Sequence, residues 1–256
     1  MADFGLSKWY LDCVTDAGEV YVLYSAALRW GSFCLNYSSI LEAAGGAVSE
    51  RHSLRALPEP RLTGESLVWR PKPLRVDGEW KADSAGLRST IFSSDAGAVE
   101  WHCLMPRAHA RIGLRKGWGY AERLVMNIVP WNLPLRTLRW GRFLCGRESV
   151  VWIDWCGEFA RTLVYRNGQP VGALSVEDTQ IALADGSRLT MDRSLVIREG
   201  PLGLAPFCKV PGIRDSLPAR LLGVVECKWR SKARLLDSEG QTSDGWAIHE
   251  KVEWPR

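Results

Sequence analysis

From Arg61 onward, short runs of alternating apolar and polar residues are cut at close intervals by turn-forming groups: Asp77-Gly78, Asp83-Ser84-Ala85-Gly86, Asp95-Ala96-Gly97, Asn167-Gly168 and Asp185-Gly186. This punctuation constrains the fold more than any other feature. Asn-Gly and Asp-Gly supply the positive φ angles that two-residue hairpins need, and five- to seven-residue runs between such turns are the mark of an antiparallel barrel or sandwich. Helical periodicity is nearly absent, being limited to a single turn at Pro218–Leu222 and a short stretch at Ile40–Ala44 cut off by Gly45-Gly46. A parallel α/β architecture, with a helix between successive strands, is thereby excluded.

The strand text starts early. Trp9–Val14 alternates, Thr15-Asp16-Ala17-Gly18 supplies a turn, and Glu19–Leu28 continues as the second arm of a hairpin, with Ser32–Ile40 as a third strand. Ala47–Pro60 reads as a connection with one edge strand, and Leu74–Trp80 as a strand turning at Asp77-Gly78. The end reads as three strands, Leu221–Trp229, Ala233–Asp237 and Gly245–Trp254. Roughly sixteen to eighteen strands in one chain should split between two barrels or sandwiches. Pro130 and Pro134 mark the break, giving domains 1–130 and 131–256.

An apolar fraction of 46% suffices for a sizeable core, and thirteen Trp suit either that core or a cavity for a flat or polyene-like ligand. The 33 basic and 29 acidic residues are interleaved, so no nucleic-acid footprint is present. The densest basic run, Lys228–Arg234, reads as an exposed strand face. Seven dispersed cysteines without a Cys-x-x-Cys pair, in a chain that opens MADFGLSKWY, indicate reduced thiols and a cytoplasmic location. No metal site and no nucleotide cofactor is expected, for want of ligand pairs and of a Gly-rich phosphate loop. No apolar run approaches the roughly 20 residues that span a bilayer.

Candidate chemistry concentrates in Trp101–Arg142. On a strand through Val99–Leu104, His102 shares a side with Glu100 and Leu104, opposite Trp101 and Cys103. If Gly117–Glu122 is extended, Trp118, Tyr120 and Glu122 share a face. An aromatic wall would then desolvate the Glu122 carboxyl and favour its protonated form, with His102 orienting it or relaying its proton. The plain alternatives are an exposed Glu122 paired with Arg123 or Arg111, and a His102 that only hydrogen-bonds.

Three segments carry a family resemblance: His102 with Pro106; Gly117-Trp118-Gly119-Tyr120-Ala121-Glu122; and Pro134-Leu135 leading to Trp140-Gly141-Arg142. Together they resemble the carotenoid 1,2-hydratases of the AttH-like, lipocalin-like superfamily. Trp9-Tyr10-x-Asp12 and Gly245–Glu250 are similar to that family's opening and closing strands. The resemblance implies an all-β protein of two consecutive lipocalin-like antiparallel barrels. It also implies cofactor-independent protonation of an unactivated C=C, with Glu122, Tyr120 and His102 as the catalytic set. Substrate contacts would fall to Trp118, Trp101, Asp12, Trp9, Leu104 and Trp140, and the partner would be a hydrophobic small molecule. The family has Asp where Glu122 stands and an aromatic where Leu104 stands; Trp101 or Trp118 is the candidate replacement ring. A non-catalytic carrier of a lipophile fits the same features. A glycan-binding or glycan-cleaving protein would need a second carboxylate, for which Asp12 and Glu100 are the candidates.

Overall fold

The structure is a computed structural model that describes residues 4–202, 208, 215 and 217–255. The chain divides into two compact units, Met1–Asn132 and Leu133–Arg256. The division falls two residues beyond the expected break, and Trp131 in the first unit packs edge-on against Trp30, with ring centroids 5.0 Å apart. Each unit is a lipocalin-like antiparallel barrel.

The first unit contains β1 (Phe4–Thr15), β2 (Val20–Trp30), β3 (Phe33–Ala44), β4 (Ala47–Ser53), β5 (Arg61–Thr63), β6 (Ser66–Trp69), β7 (Gly78–Ala82), β8 (Leu87–Ser94), β9 (Gly97–Ile112) and β10 (Arg115–Met126). The sheet order is β4-β3-β2-β1-β10-β9-β7-β6-β5, and β8 pairs with β9 as well. The first half of β9 takes β8 and its second half takes β7, both on the edge opposite β10. Arg51 Nε on β4 donates to the carbonyl of Leu74, in the 3-10 turn between β6 and β7, 3.3 Å away. Alternation on β1 sends Trp9, Leu11 and Cys13 into an interior cluster with Leu23, Trp69, Trp80, Met105 and Ala121. Burying one such indole removes on the order of 200 Å² from water, about 5 kcal/mol by area before ordering entropy is set against it.

The opposite face of the same strands is buried too. Asp12, Val14, Val22, Tyr24, Leu41, Tyr120 and Glu122 all lie below a tenth exposed. A sheet buried on both faces explains why Val20–Leu28 of β2 reads as a nearly continuous apolar run rather than clean alternation.

The second unit contains β11 (Thr137–Leu144), β12 (Ser149–Cys156), β13 (Arg161–Arg166), β14 (Gln169–Pro170), β15 (Ala173–Val176), β16 (Gln180–Leu183), β17 (Arg188–Met191), β18 (Leu195–Pro201), the single helical turn α1 (Ala219–Leu222), β19 (Val225–Leu236) and β20 (Thr242–Glu253). Its order, β14-β13-β12-β11-β20-β19-β17-β16-β15 with β18 on β19, repeats the first unit strand for strand. Its own interior cluster includes Phe143, Trp152, Leu189 and Ala247.

Several local expectations are corrected. Ile40–Ala44 is the end of strand β3, because its alternate residues pair across to β2 and bury there. Lys72–Leu74 is a 3-10 turn with Arg75 at φ 54°, so β7 starts only at Gly78. Leu221 belongs to α1, and the two expected strands after it fuse into the twelve-residue β19. The basic run is not an exposed face throughout: Lys228 is 2% exposed, flanked by Glu226 and Glu250, and Ser231 is fully buried. Among the described residues there are twenty strands, of which β5, β11 and β14 were not expected from the sequence. No helix among them is long and apolar enough to cross a membrane.

Candidate active site

β1 and β10 run side by side, and their register builds the site. Tyr10 stands opposite Glu122 and Asp12 opposite Tyr120. Across the outer edges, Glu122 stands opposite Cys103 on β9, Tyr10 opposite Tyr24 on β2, and Tyr24 opposite Ser39 on β3. Cys103, Glu122, Tyr10, Tyr24 and Ser39 therefore form one transverse row on the face away from the interior cluster. Asp12 and Tyr120 begin the next row.

The two glycines before Tyr120 are required by close approach rather than by backbone angle. A Cβ at Gly117 would lie 2.0 Å from the Val14 carbonyl oxygen; one at Gly119 would lie 2.5 Å from Ala110 Cβ, 2.6 Å from the Asp12 carbonyl oxygen and 2.8 Å from the Trp80 ring. The empty space lets Trp80 reach under β10 and donate its indole N–H to the Asp12 carbonyl at 2.6 Å. The Gly-Trp-Gly-Tyr motif thus locks β1 against β10 at the level of the carboxylates.

Glu122 is the hub. Its Oε2 accepts the Trp101 indole N–H at 2.6 Å and the Tyr120 hydroxyl at 2.5 Å. The Tyr10 hydroxyl donates to Asp12 Oδ2 at 3.1 Å, and its ring meets Tyr24 and Tyr120 edge-on at 5.5 and 5.9 Å. Asp12 is fully buried and Glu122 is 7% exposed, so two carboxyl groups lie away from bulk water within one aromatic cluster. The Cys103 thiol stands on this face in register with Glu122. Burial pushes that thiol well above its ordinary pKa, and the Glu122 charge pushes the same way. Tyr120 is likewise raised well above its ordinary value, by burial first and then by Cys103 and Glu122. Both stay protonated at neutral pH and act as donors, not nucleophiles.

Of the residues singled out from the sequence, Glu122, Tyr120, Trp101 and Asp12 come together here. The others do not join them. His102 stands in register with Arg123 and Arg88, on the face of β9 and β10 opposite Glu122. Burial and Arg88 hold its pKa below the ordinary histidine value, Glu100 opposing. Strand alternation explains the exchange: neighbouring residues face opposite ways, so Trp101 reaches the acid and His102 cannot. Leu104 and Trp9 pack in the interior of the barrel, where the Trp9 indole N–H reaches Glu59 Oε2 at 3.3 Å. Trp118 sits further along β10, against His109 at 4.5 Å between ring centroids. Trp140 lies on β11 in the second unit, in register with Ile153 and Glu250. Glu100 accepts from Thr90 at 2.9 Å and is no partner for Glu122.

No sequence-family model and no curated protein matches the chain. Solved structures do. The crystal structure of CghA with Sch210972 superposes with a TM-score of 0.58 at 13% identity, covering 98% of this chain and 88% of that one. Kievitone hydratase from Nectria haematococca gives 0.56 at 8% identity, over 98% and 89%. An AttH protein from Nitrosomonas europaea gives 0.51 at 10% identity, over 99% and 94%. The chain has the AttH-like fold. Within this AttH-like frame the carboxylate hub lies on the first barrel, on the sheet face opposite that barrel's interior cluster.

Sequence reasoning missed Tyr10, Tyr24, Cys103 and Ser39. Tyr10 was legible in hindsight, since it alternates with Asp12 on one strand. Tyr24 and Ser39 join only through strand register, which no local pattern encodes. Ser39 Oγ is buried with no hydrogen-bond partner among the described residues, in the same row as the acid.

Proposed function

We propose that the protein is a cofactor-independent acid–base enzyme that protonates a hydrophobic small molecule, with Glu122 as the proton donor. The observation that carries this reading is the pair of donors, Trp101 and Tyr120, converging on one oxygen of a buried carboxyl. With Oε2 accepting both, the proton of the neutral acid sits on Oε1. Transfer of that proton to a C=C leaves a carbocation and a Glu122 carboxylate, which the two donors stabilise as its charge develops. The faces of Tyr10, Tyr24 and Tyr120 are suited to a cationic centre. The carboxylate then regains a proton in one of three balanced ways: from the carbon next to the cation, giving isomerisation; from the carbon next to a new cation formed when a second C=C of the substrate attacks the first and closes a ring, giving cyclisation; or from a water that adds to the cation, giving hydration. Asp12 holds Tyr10 in place through its hydroxyl.

The fold is shared with a protein named as a hydratase, which supports hydration as one of these outcomes. The substrate class proposed is a terpenoid, polyene or polyketide-like molecule. The test incubates the protein with a panel of such lipophiles, follows binding by tryptophan fluorescence, and identifies what is released by mass spectrometry. Glu122→Gln is expected to keep the fold and ligand binding and to lose turnover by about 100-fold or more, the range of a general acid. Undiminished turnover would refute the role. Tight binding with no conversion by the native protein would make it a carrier instead.

A further inference from the structure

We propose a second ligand site, for a small oxyanion, on the outer face of the first barrel. A cavity of about 330 Å³ opens there, and Asp16, Lys81, His109, Arg111, Lys116 and Trp118 are among its lining residues. The register explains how they meet. Lys81 on β7 stands opposite His109 on β9, which stands opposite Trp118 on β10; Arg111 stands opposite Lys116 in the adjoining row. Trp80, between Glu79 and Lys81, points the other way into the barrel core, so the charged residues of β7 must face out.

The chemistry of the lining is unbalanced toward donors. Arg111 is engaged, bonding Glu79 at 3.0 Å and Asp77 at 3.2 Å, and it neutralises the Glu79 carboxylate. Lys81 and Lys116 make no ion pair among the described residues, and the Trp118 indole N–H has no acceptor among them. Trp118 is itself held in place, with His109 tilted against it at 4.5 Å and the Arg107 guanidinium 5.5 Å from its ring centroid. Two ammonium groups, an indole donor and an imidazole edge thus share one concave wall, and of its two carboxylates Asp16 is the one without an ion pair among the described residues. With Arg111 offsetting Glu79, the two lysines outweigh Asp16, and a net positive concave wall concentrates anions above the bulk. A carboxylate or a phosphate matches this set, since each offers several acceptor oxygens to several donors. The site is separate from the Glu122 hub and stands whether or not the acid–base reading does.

The indole N–H signals of the full chain, followed by proton–nitrogen correlation NMR, test it, with Trp118 assigned by its loss in Trp118→Phe. Titration with acetate and with inorganic phosphate should move the Trp118 signal saturably; the stronger of the two identifies the source. The Lys81→Ala/Lys116→Ala double variant should weaken binding roughly fivefold or more per lysine removed, while its other indole signals stay in place and report an intact fold. Asp16→Asn should tighten binding. A Trp118 signal that does not move, moves as far with chloride, or moves equally in the double variant overturns the proposal.

Discussion

At the residue scale, the strongest constraint on the candidate site is the absence of a side chain. Gly119 is where Trp80, Asp12 and Ala110 close in beneath β10, and any Cβ there would overlap three groups at once. Two of those neighbours are backbone or a fully buried ring, which cannot move aside as a flexible surface chain would. Gly119→Ala is therefore expected to destabilise the protein by about 3 kcal/mol, the upper part of the overpacking range. Equilibrium urea unfolding checks the value, and an unchanged midpoint would show that the strand shifts at little cost. The same crowding holds Tyr120 at the correct height to reach Glu122 two residues on. Glu122 itself illustrates how little its type says alone, because the same residue facing the other way would meet Arg88 and His102.

At the scale of elements, β10 and β20 occupy equivalent places in the two barrels and carry different chemistry. Leu11 pairs with Ala121 in the first barrel as Phe143 pairs with Ala247 in the second. In that alignment Gly119-Tyr120-Ala121-Glu122 corresponds to Gly245-Trp246-Ala247-Ile248, so the second barrel has Ile248 at the place of the acid. What β20 carries instead is His249, buried beside the Trp229 and Trp152 rings and 2.8 Å from Ser231 Oγ. Burial lowers its pKa from 6.5 to about 4, with Arg193 and Lys228 lowering it further and Asp178 and Asp192 opposing. In the folded chain the ring stays neutral down to about pH 4, whereas the unfolded chain protonates it near 6.5. The unfolded state therefore binds more protons between those values, and stability falls as pH drops from 6.5 to about 4. The loss attributable to this ring is on the order of 3 kcal/mol. Denaturant melts of the native chain and of His249→Gln across that window should differ by this amount, and parallel curves would remove the assignment.

At the scale of the whole molecule, the two units share a strand order but not the buried carboxyl row, and the thiols give a simple measure of how completely each is closed. All seven cysteines are free, with Cys34 exposed, Cys156 and Cys227 partly covered, and Cys13, Cys103, Cys145 and Cys208 buried. Cys34 should react first with a disulfide reagent at neutral pH, and the four buried thiols should react only on unfolding. Burial and nearby carboxylates raise Cys156 and Cys227, which places them between these groups in rate. Rapid modification of Cys103 in the native protein would show that the Glu122 face opens to solvent.

Turn chemistry and alternation, which act over two to six residues, determined the all-β class and the antiparallel strands. Ile40–Ala44 was misread as helical because pairing with β2, not the local run, decided the outcome, and Leu74–Asp77 was misread as strand where Lys72–Leu74 forms a 3-10 turn. Glu122 and Tyr120 were readable because they lie two apart on one strand and must share a face. Trp101, Tyr10, Tyr24, Cys103 and Ser39 were not assignable to that face from spacing alone. A one-residue slip of β1 against β10, or of β9 against β10, would send each to the other side of the sheet. That register is set by Trp80 seated under Gly119, a contact between residues far apart in the chain, and so only the tertiary structure could decide it.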